Sequence, residues 1–253
     1  MLKEDNKVIN SLWIGNTLSE MELLTTASFT KFGHAFYLWT YGDIQNLPTN
    51  VILKDANEII PENKVFKYDQ HSNIDWGKGS YAGFSDIFRY KLLYEYGGWW
   101  VDMDVTCLQA FNSTEEYFFR NHWKLNVVGN IIKCPKGSEL MRRCFEDASK
   151  SVNEKNENWH LPIEILNDNI QKLQLKKYIQ KGLVNLDMIH SLQPYFYSNL
   201  PIPKDWIAIH WINSSNQKIY FENSTFDTLL KEHNITSNAK KNNIWNSFKK
   251  IIK

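Results

Sequence analysis

Two aspartates separated by one residue, Asp102 and Asp104, follow an apolar run of the chain. Residues two apart on a strand share a face, so this spacing predicts a strand whose two carboxylates point the same way. Carboxylate oxygens are the ligands that Mg²⁺ and Mn²⁺ favour, and Mg²⁺ sites often use one or two of them, leaving positions for water and phosphate. The pair therefore indicates a divalent-cation site.

The segment before this pair adds two more charged residues. Its pattern predicts an amphipathic helix over residues 81–96 that ends at Gly97, since glycine tolerates the left-handed conformation at a helix C-terminus. Asp86 and Arg89 lie three residues apart and so share a face of this helix. On the strand that follows, Trp100 is expected on the same side as the two carboxylates.

Alternating strand and helix signals run along the rest of the chain. Strands are predicted at 8–14, 34–41, 51–53, 126–132 and 206–211. A helix capped by Ser19 follows the first strand, and a short helix is predicted at 115–120. This order predicts an α/β fold with a mixed sheet flanked by helices.

Size and composition limit the classes of protein. The 253 residues, 43% of them hydrophobic, suit one α/β domain. The net charge of +1 gives no sign of a nucleic-acid partner. Three cysteines without C-x-x-C spacing favour a reducing cytoplasm over a disulfide framework or a zinc site. Neither a leader peptide nor a membrane-spanning helix is expected.

The end of the chain changes character, which predicts a domain at 1–235 and a separate helix at 236–253. In this tail, apolar residues recur at helical spacing and lysines occupy other positions; the apolar residues are Ile244, Trp245, Phe248, Ile251 and Ile252. Such a basic amphipathic helix suits the surface of an anionic membrane, and equally suits docking on its own domain.

The central stretch resembles the signature of the family 32 glycosyltransferases, S-D-x-x-R-x-x-x-L-Y-x-x-G-G-x-[YW]-x-D-x-D. These DXD sugar-binding enzymes have a GT-A fold, with a Rossmann-like mixed sheet, and are related to the glucosylating clostridial toxins. The resemblance covers most of residues 8–215. The matching positions are Ser85, Asp86, Arg89, Leu93, Tyr94, Gly97, Gly98, Trp100, Asp102 and Asp104.

The resemblance implies a role for each residue of the central motif. Asp104 would bind the metal directly, and Asp102 would contact the ribose and the metal. Asp86 and Arg89 would hold the donor sugar, with Arg89 also reaching a phosphate. Trp100 stands where a tyrosine is expected and would contribute its aromatic face to the donor site. Asp102, Asp104 and Arg89 would then form the catalytic group.

Other segments would complete the site by the same resemblance. Trp13 would pack on the nucleobase, although a place in the core is the alternative. Asn130 is either a donor-sugar contact or a turn residue. His210, Asn213 or Ser215 would complete the shell of a Mn²⁺ or Mg²⁺ ion, while His210 could instead be a core histidine.

The activity implied is transfer of a hexose or N-acetylhexosamine from a nucleotide sugar, with a UDP-sugar favoured, to a glycan acceptor. Retention of anomeric configuration is implied. The acceptor would be an oligosaccharide or a lipid-linked glycan, used in bacterial capsule, lipopolysaccharide or similar surface polysaccharide synthesis. The protein would be cytoplasmic, with peripheral contact at the inner face of the cell membrane through the tail.

Three alternatives stay open at this point. The D-x-D-x-T pattern also occurs in haloacid-dehalogenase-type phosphatases, which would make Asp102 a nucleophile and Thr106 a phosphate ligand. Against this, such a strand normally opens the domain, whereas about 100 residues precede it here. A toxin-like transferase acting on a protein and a sugar binder without turnover are the other two.

Overall fold

The structure is a computed structural model that describes residues 2–69, 77–213 and 219–241. Its strands are β1 Val8–Leu12, β2 Ala35–Thr40, β3 Val51–Asp55, β4 Gly98–Val101, β5 Val105–Cys107, β6 Phe118–His122, β7 Asn126–Cys134, β8 Ile179–Gln180 and β9 Ala208–His210. Its α-helices are α1 Glu20–Lys31, α2 Ala82–Tyr96, α3 Glu139–Ser151, α4 Leu161–Lys172, α5 Ile189–Tyr197 and α6 Thr225–Glu232.

Seven strands form the main sheet in the order β3-β2-β1-β4-β7-β6-β8. The first four are parallel to one another, β7 runs antiparallel to β4 and β6, and β8 is parallel to β6. The remaining strands, β5 and β9, form a small antiparallel sheet. The predicted α/β fold with a mixed sheet is confirmed.

Helices cover both faces of the main sheet, and the side chains of β4 pack against helices on both faces. Trp100 packs in a cluster with residues of α2, α3 and α4, whereas Trp99 and Val101 pack in a cluster with Phe29 of α1. Successive side chains of a strand point to opposite faces, so this apolar run fills two cores at once. A third cluster, around Trp211, joins α5 and α6 to the small sheet.

The strand predicted to carry both aspartates ends earlier than expected. β4 stops at Val101, and Asp102 to Asp104 form a turn that leads into β5. The backbone N–H of Asp102 still donates to the carbonyl of Asn130, at 2.9 Å, but the chain then leaves the main sheet to pair with β9. The two carboxylates therefore sit on a turn between two sheets.

Local signals gave correct element types in the first part of the chain. Ser19 caps α1, and Glu22 completes a capping box. Gly97, with φ of 67°, ends α2 as expected. The short helix predicted at 115–120 is wrong, because Phe118 and Phe119 begin β6 and pair with β7.

The described part of the tail, residues 236–241, is not helical. Lys240 forms a bridge with Phe221, and the backbone N–H of Asn238 donates to Glu20 at 2.7 Å. The rest of the predicted tail helix, from residue 242, lies outside the described residues, so the two-part domain division stays a prediction. Within the described residues, no helix is long and apolar enough to cross a membrane.

Candidate active site

A cleft of about 1090 Å³ opens where β4 ends. Ligand sites of open α/β sheets commonly lie beyond the carboxyl ends of parallel strands, as this cleft does. Seven of the predicted site residues line it: Asp86, Arg89, Asp102, Asp104, Asn130, His210 and Asn213. The loop after β6, the strand β7 and the turn after β9 supply other parts of the wall.

Arg89 is the buried cation of this cleft, with 4% of its surface exposed. Its Nη2 donates to Asp102 Oδ1 at 2.7 Å and its Nη1 donates to Asp86 Oδ1. The guanidinium also lies over the ring of Trp100, 5.0 Å from the centroid. Charge-assisted bonds and stacking together fix the orientation of this side chain.

Trp100 holds the carboxylate of Asp102 and does not line the cleft. It is 1% exposed, and its Nε1 donates to Asp102 Oδ1 at 2.7 Å. The expectation that Trp100 offers an aromatic face to the donor therefore does not match its placement. The indole N–H instead takes a structural place, since it holds the carboxylate that faces the cleft.

Gly129 on β7 makes room for the guanidinium. A Cβ atom at this position would lie 2.2 Å from Arg89 Nη1, closer than any ordinary contact. Glycine within a strand often marks such a close approach of another group. The absence of a side chain at Gly129 of β7 thus leaves space for the charged side chain of Arg89 on α2.

Burial raises the pKa of Asp86 to about 6, although the neighbouring Arg89 opposes that shift and Asp102 adds to it. The carboxyl group is therefore ionised at neutral pH and paired with Arg89. One unit below neutrality, a large share of it carries a proton.

Asp104 is held by the small sheet. Val105 of β5 pairs with His210 of β9, and this pairing brings the His210 side chain next to Asp104, the residue before Val105. His210 Nε2 lies 3.3 Å from Asp104 Oδ2. The backbone N–H of Asn213 donates to the same oxygen at 2.8 Å. Burial alone would lower the pKa of His210, but Asp187 and Asp104 raise it to about 10.

The sequence interpretation missed two residues that complete this arrangement, Arg120 and Asp187. Arg120 is buried on β6 and makes a two-pronged ion pair with Asp187, at 2.6 and 2.7 Å. Asp187 in turn lies 2.8 Å from His210 Nδ1, and the positive charges of His210 and Arg120 overcome burial and lower its pKa. In the sequence, the only indication of this ion pair was Arg120 itself, an arginine next to two phenylalanines.

Asn130 lines the cleft and carries an unpaired group. Its Oδ1 is buried and has no hydrogen-bond partner in the described chain, while its backbone carbonyl accepts from Asp102. A buried polar atom left without a partner costs about 1–3 kcal/mol. Such a cost is typical of a group that awaits a ligand.

The other predicted site residues have mixed outcomes. Trp13 follows β1, is half-buried, and donates its Nε1 proton to the carbonyl of Thr17 at 3.0 Å; it is not among the residues that line the cleft. Asn213 does line the cleft. Ser215 lies outside the described residues.

The family model described as "Glycosyltransferase sugar-binding region containing DXD motif" matches residues 4–119. That range includes Asp86, Arg89 and both aspartates of the D-x-D turn. This part of the chain therefore resembles the sugar-binding region of DXD-type glycosyltransferases. The part of the cleft formed by Asn130, Asp187 and His210 lies beyond the matched range, as does Arg120, which pairs with Asp187.

Two solved structures are similar to this chain. One is a protein titled PaToxG glycosyltransferase, with 17% identity, covering 66% of this chain and 68% of its own, at a TM-score of 0.49. The other is a transferase carrying two cysteine-to-serine substitutions, with 12% identity, 70% and 88% coverage and a TM-score of 0.45. At scores below 0.5, neither bears on what this enzyme acts on. No curated protein sequence matches the chain significantly.

The chemistry of the donor set fits a hard divalent cation. Asp102 and Asp104 both line the cleft, and the described contacts of their side chains go to one oxygen of each carboxylate. No cluster of three or more His, Cys, Asp or Glu residues suited to a metal exists in the described chain. Two carboxylates with water and phosphate oxygens make a common Mg²⁺ arrangement.

Proposed function

We propose that this glycosyltransferase moves a hexose or N-acetylhexosamine from a nucleoside-diphosphate sugar to a glycan acceptor, with Mn²⁺ or Mg²⁺ held at the D-x-D turn. One observation carries the proposal: Arg89 and both aspartates line a single cleft, with Arg89 braced by Asp86 and Asp102. A UDP-sugar is the favoured donor by family resemblance.

The proposed division of labour follows from the charges. Asp102 and Asp104 would hold the cation, which as a Lewis acid stabilises the diphosphate leaving group. Arg89 adds charge-assisted hydrogen bonds on the same side of the site. The unpaired amide oxygen of Asn130 is available to accept from a sugar hydroxyl. His210 keeps Asp104 oriented. Its further role as a metal ligand, like that of Asn213 and Ser215, is part of the proposal, and for His210 it requires that the bound cation displace the proton of Nε2.

Two further predicted residues, Trp13 and Trp100, are proposed to have limited roles in donor binding. Trp13 lies beyond the end of β1, next in the sheet to β4, and its proposed partner is the nucleobase. Trp100 is proposed to act on the donor only through Asp102. Transfer with retention of configuration is proposed from the family resemblance alone.

The proposed biological setting is assembly of a bacterial capsule, lipopolysaccharide or similar surface glycan on an oligosaccharide or lipid-linked acceptor. The enzyme would work in the cytoplasm, at the inner face of the cell membrane. The basic composition of the tail supports this setting over toxin-like modification of a protein.

The phosphatase alternative finds no support in the cleft. It needs Thr106 as a phosphate ligand, yet Thr106 is fully buried on β5 and its hydroxyl accepts from Trp211 Nε1 at 2.7 Å. It also needs Asp102 as a free nucleophile, whereas Arg89 and Trp100 both donate to one of its oxygens.

Donor hydrolysis is the direct test of the proposed activity. The purified enzyme is incubated with Mn²⁺ and a panel of UDP- and GDP-sugars, and release of the nucleoside diphosphate is measured. Asp104→Asn should lower the rate by at least about 100-fold, the scale seen when one transition-state stabiliser is lost. Asp168→Asn, an exposed aspartate of α4, is the matched control. Equal rates in wild type and Asp104→Asn would contradict the assignment.

A further inference from the structure

The cleft is larger than one small ligand requires. Its volume of about 1090 Å³ lies at the upper end of the range of about 300–1,000 Å³ that is usual for small-molecule sites. Asp86, Arg89 and Asp102 occupy one part of the wall. The loop between β6 and β7, with Trp123, forms another part. The cleft thus has room for a second molecule beside the donor.

Trp123 is an exposed aromatic residue in an organised setting. The side chain is 54% exposed, yet its Nε1 donates to the carbonyl of Asp187 at 3.3 Å. The ring of His122 stacks beside it, with centroids 6.1 Å apart and planes 27° apart. These two contacts limit the freedom of the indole while leaving its surface in the cleft. Large exposed aromatic surface of this kind often marks a binding site.

The indole of Trp123, held by these two contacts, is called the Trp123 platform below. The platform is connected to the D-x-D turn by contacts in series. Trp123 bonds to Asp187, Asp187 to His210, and His210 Nε2 lies 3.3 Å from Asp104.

We propose that the Trp123 platform binds the acceptor, with the face of a pyranose ring stacked on the indole of Trp123. This inference rests on the function proposed above. A pyranose presents apolar C–H groups on its face and hydroxyls around its rim. The platform matches that pattern, because the apolar indole is bordered by polar groups of His122 and Lys124 that also line the cleft.

A saccharide fits these observations better than a peptide or a lipid chain. A lipid chain needs a continuous apolar channel, whereas charged and polar side chains surround this indole. A peptide strand would seek a free sheet edge. The edge strand beside β6 is β8, which has only two residues and is too short to pair with a peptide strand.

Saccharide binding to the full chain tests the platform. The probe is a printed array of defined oligosaccharides ending in hexose or N-acetylhexosamine, used with labelled protein, UDP and Mn²⁺. Trp123→Ala should weaken half-saturation about tenfold, a loss of the size expected for one aromatic contact. Trp123→Phe should retain most of the binding. Tyr96→Ala removes an equally exposed aromatic, 49% exposed, at the opposite end of β4, and should bind as wild type does.

Three results would overturn the platform: no saccharide bound by the wild type, equal binding by Trp123→Ala, or Trp123-dependent binding on a parallel peptide array only. Donor hydrolysis by the same wild-type preparation separates this outcome from failure of the proposed function. Hydrolysis without Trp123-dependent saccharide binding rejects the platform alone. Saccharide binding without any turnover of sugar nucleotides rejects the proposed activity alone.

Discussion

Arg89 shows how much a single side chain of this enzyme depends on its neighbours. It is buried, forms ion pairs with Asp86 and Asp102, and lies on the ring of Trp100. A lysine could not reproduce this set of contacts, because it lacks the planar fork that meets two carboxylates at once. Buried pairs of this kind are valuable mainly when complete, since one partner left alone is a buried charge.

The raised pKa of Asp86 gives a pH-dependent stability with a definite sign. The folded pKa of about 6 lies above the ordinary value of 3.8. Between these values the native state binds a proton that the unfolded state has lost, so stability falls as pH rises through this window. At about 1.4 kcal/mol per unit of pKa, the loss amounts to about 1–3 kcal/mol.

Asp86→Asn should therefore gain stability relative to the wild type as pH rises from 4 to 7, by about 1–3 kcal/mol. Urea unfolding at both pH values measures the free energy of unfolding of each protein. Asp168→Asn is the control, because that carboxylate is exposed on α4. A difference between wild type and Asp86→Asn that stays constant with pH would contradict the shift.

Among the elements, β7 affects the site through Gly129, a position that has no side chain. Gly129→Ala would place a Cβ atom 2.2 Å from Arg89 Nη1, so the guanidinium must move away from Asp86 and Asp102. Overpacking of this kind costs about 1–3 kcal/mol of stability. Misplacing a positioning group should lower donor hydrolysis about 100-fold.

Gly42→Ala is the matched control for this substitution. Neither glycine has a positive φ, and nothing lies within 4 Å of the position that a Cβ atom at Gly42 would occupy. Both variants should fold, and only Gly129→Ala should lose activity in a donor-hydrolysis assay. A Gly129→Ala enzyme with wild-type kcat would show that Arg89 can move without consequence.

The elements that local patterns determine could be predicted from the sequence. The capping box of α1, the glycine that ends α2 and the alternation of Trp99 and Trp100 depend on neighbouring residues alone. The end of β4 before Asp102 could not be predicted, because it depends on β9, about 100 residues later in the chain. β6 was missed for the same reason, since strand formation depends strongly on the partner strand.

At the scale of the whole molecule, the tail is the part with a separate expected role. Residues 236–241 bond to Glu20 and pair with Phe221, so a chain that ends at residue 241 keeps those contacts. Each basic residue near an anionic membrane contributes about 1 kcal/mol to binding. Removal of 242–253 should therefore release the enzyme from anionic vesicles in co-sedimentation, with donor hydrolysis unchanged.

Neutral phosphatidylcholine vesicles, which should bind neither form, are the control. Undiminished binding of the shortened chain to anionic vesicles would reject the membrane role.

The small sheet of β5 and β9 also has a consequence for synthesis. The main sheet is complete once Gln180 has left the ribosome, and N-terminal parts of a chain generally fold first. His210, the side chain that holds Asp104, emerges about 30 residues later. A nascent chain thus acquires its largest folded layer before it acquires the contact between His210 and Asp104. The wall of the cleft is therefore completed only after β9 has been synthesised.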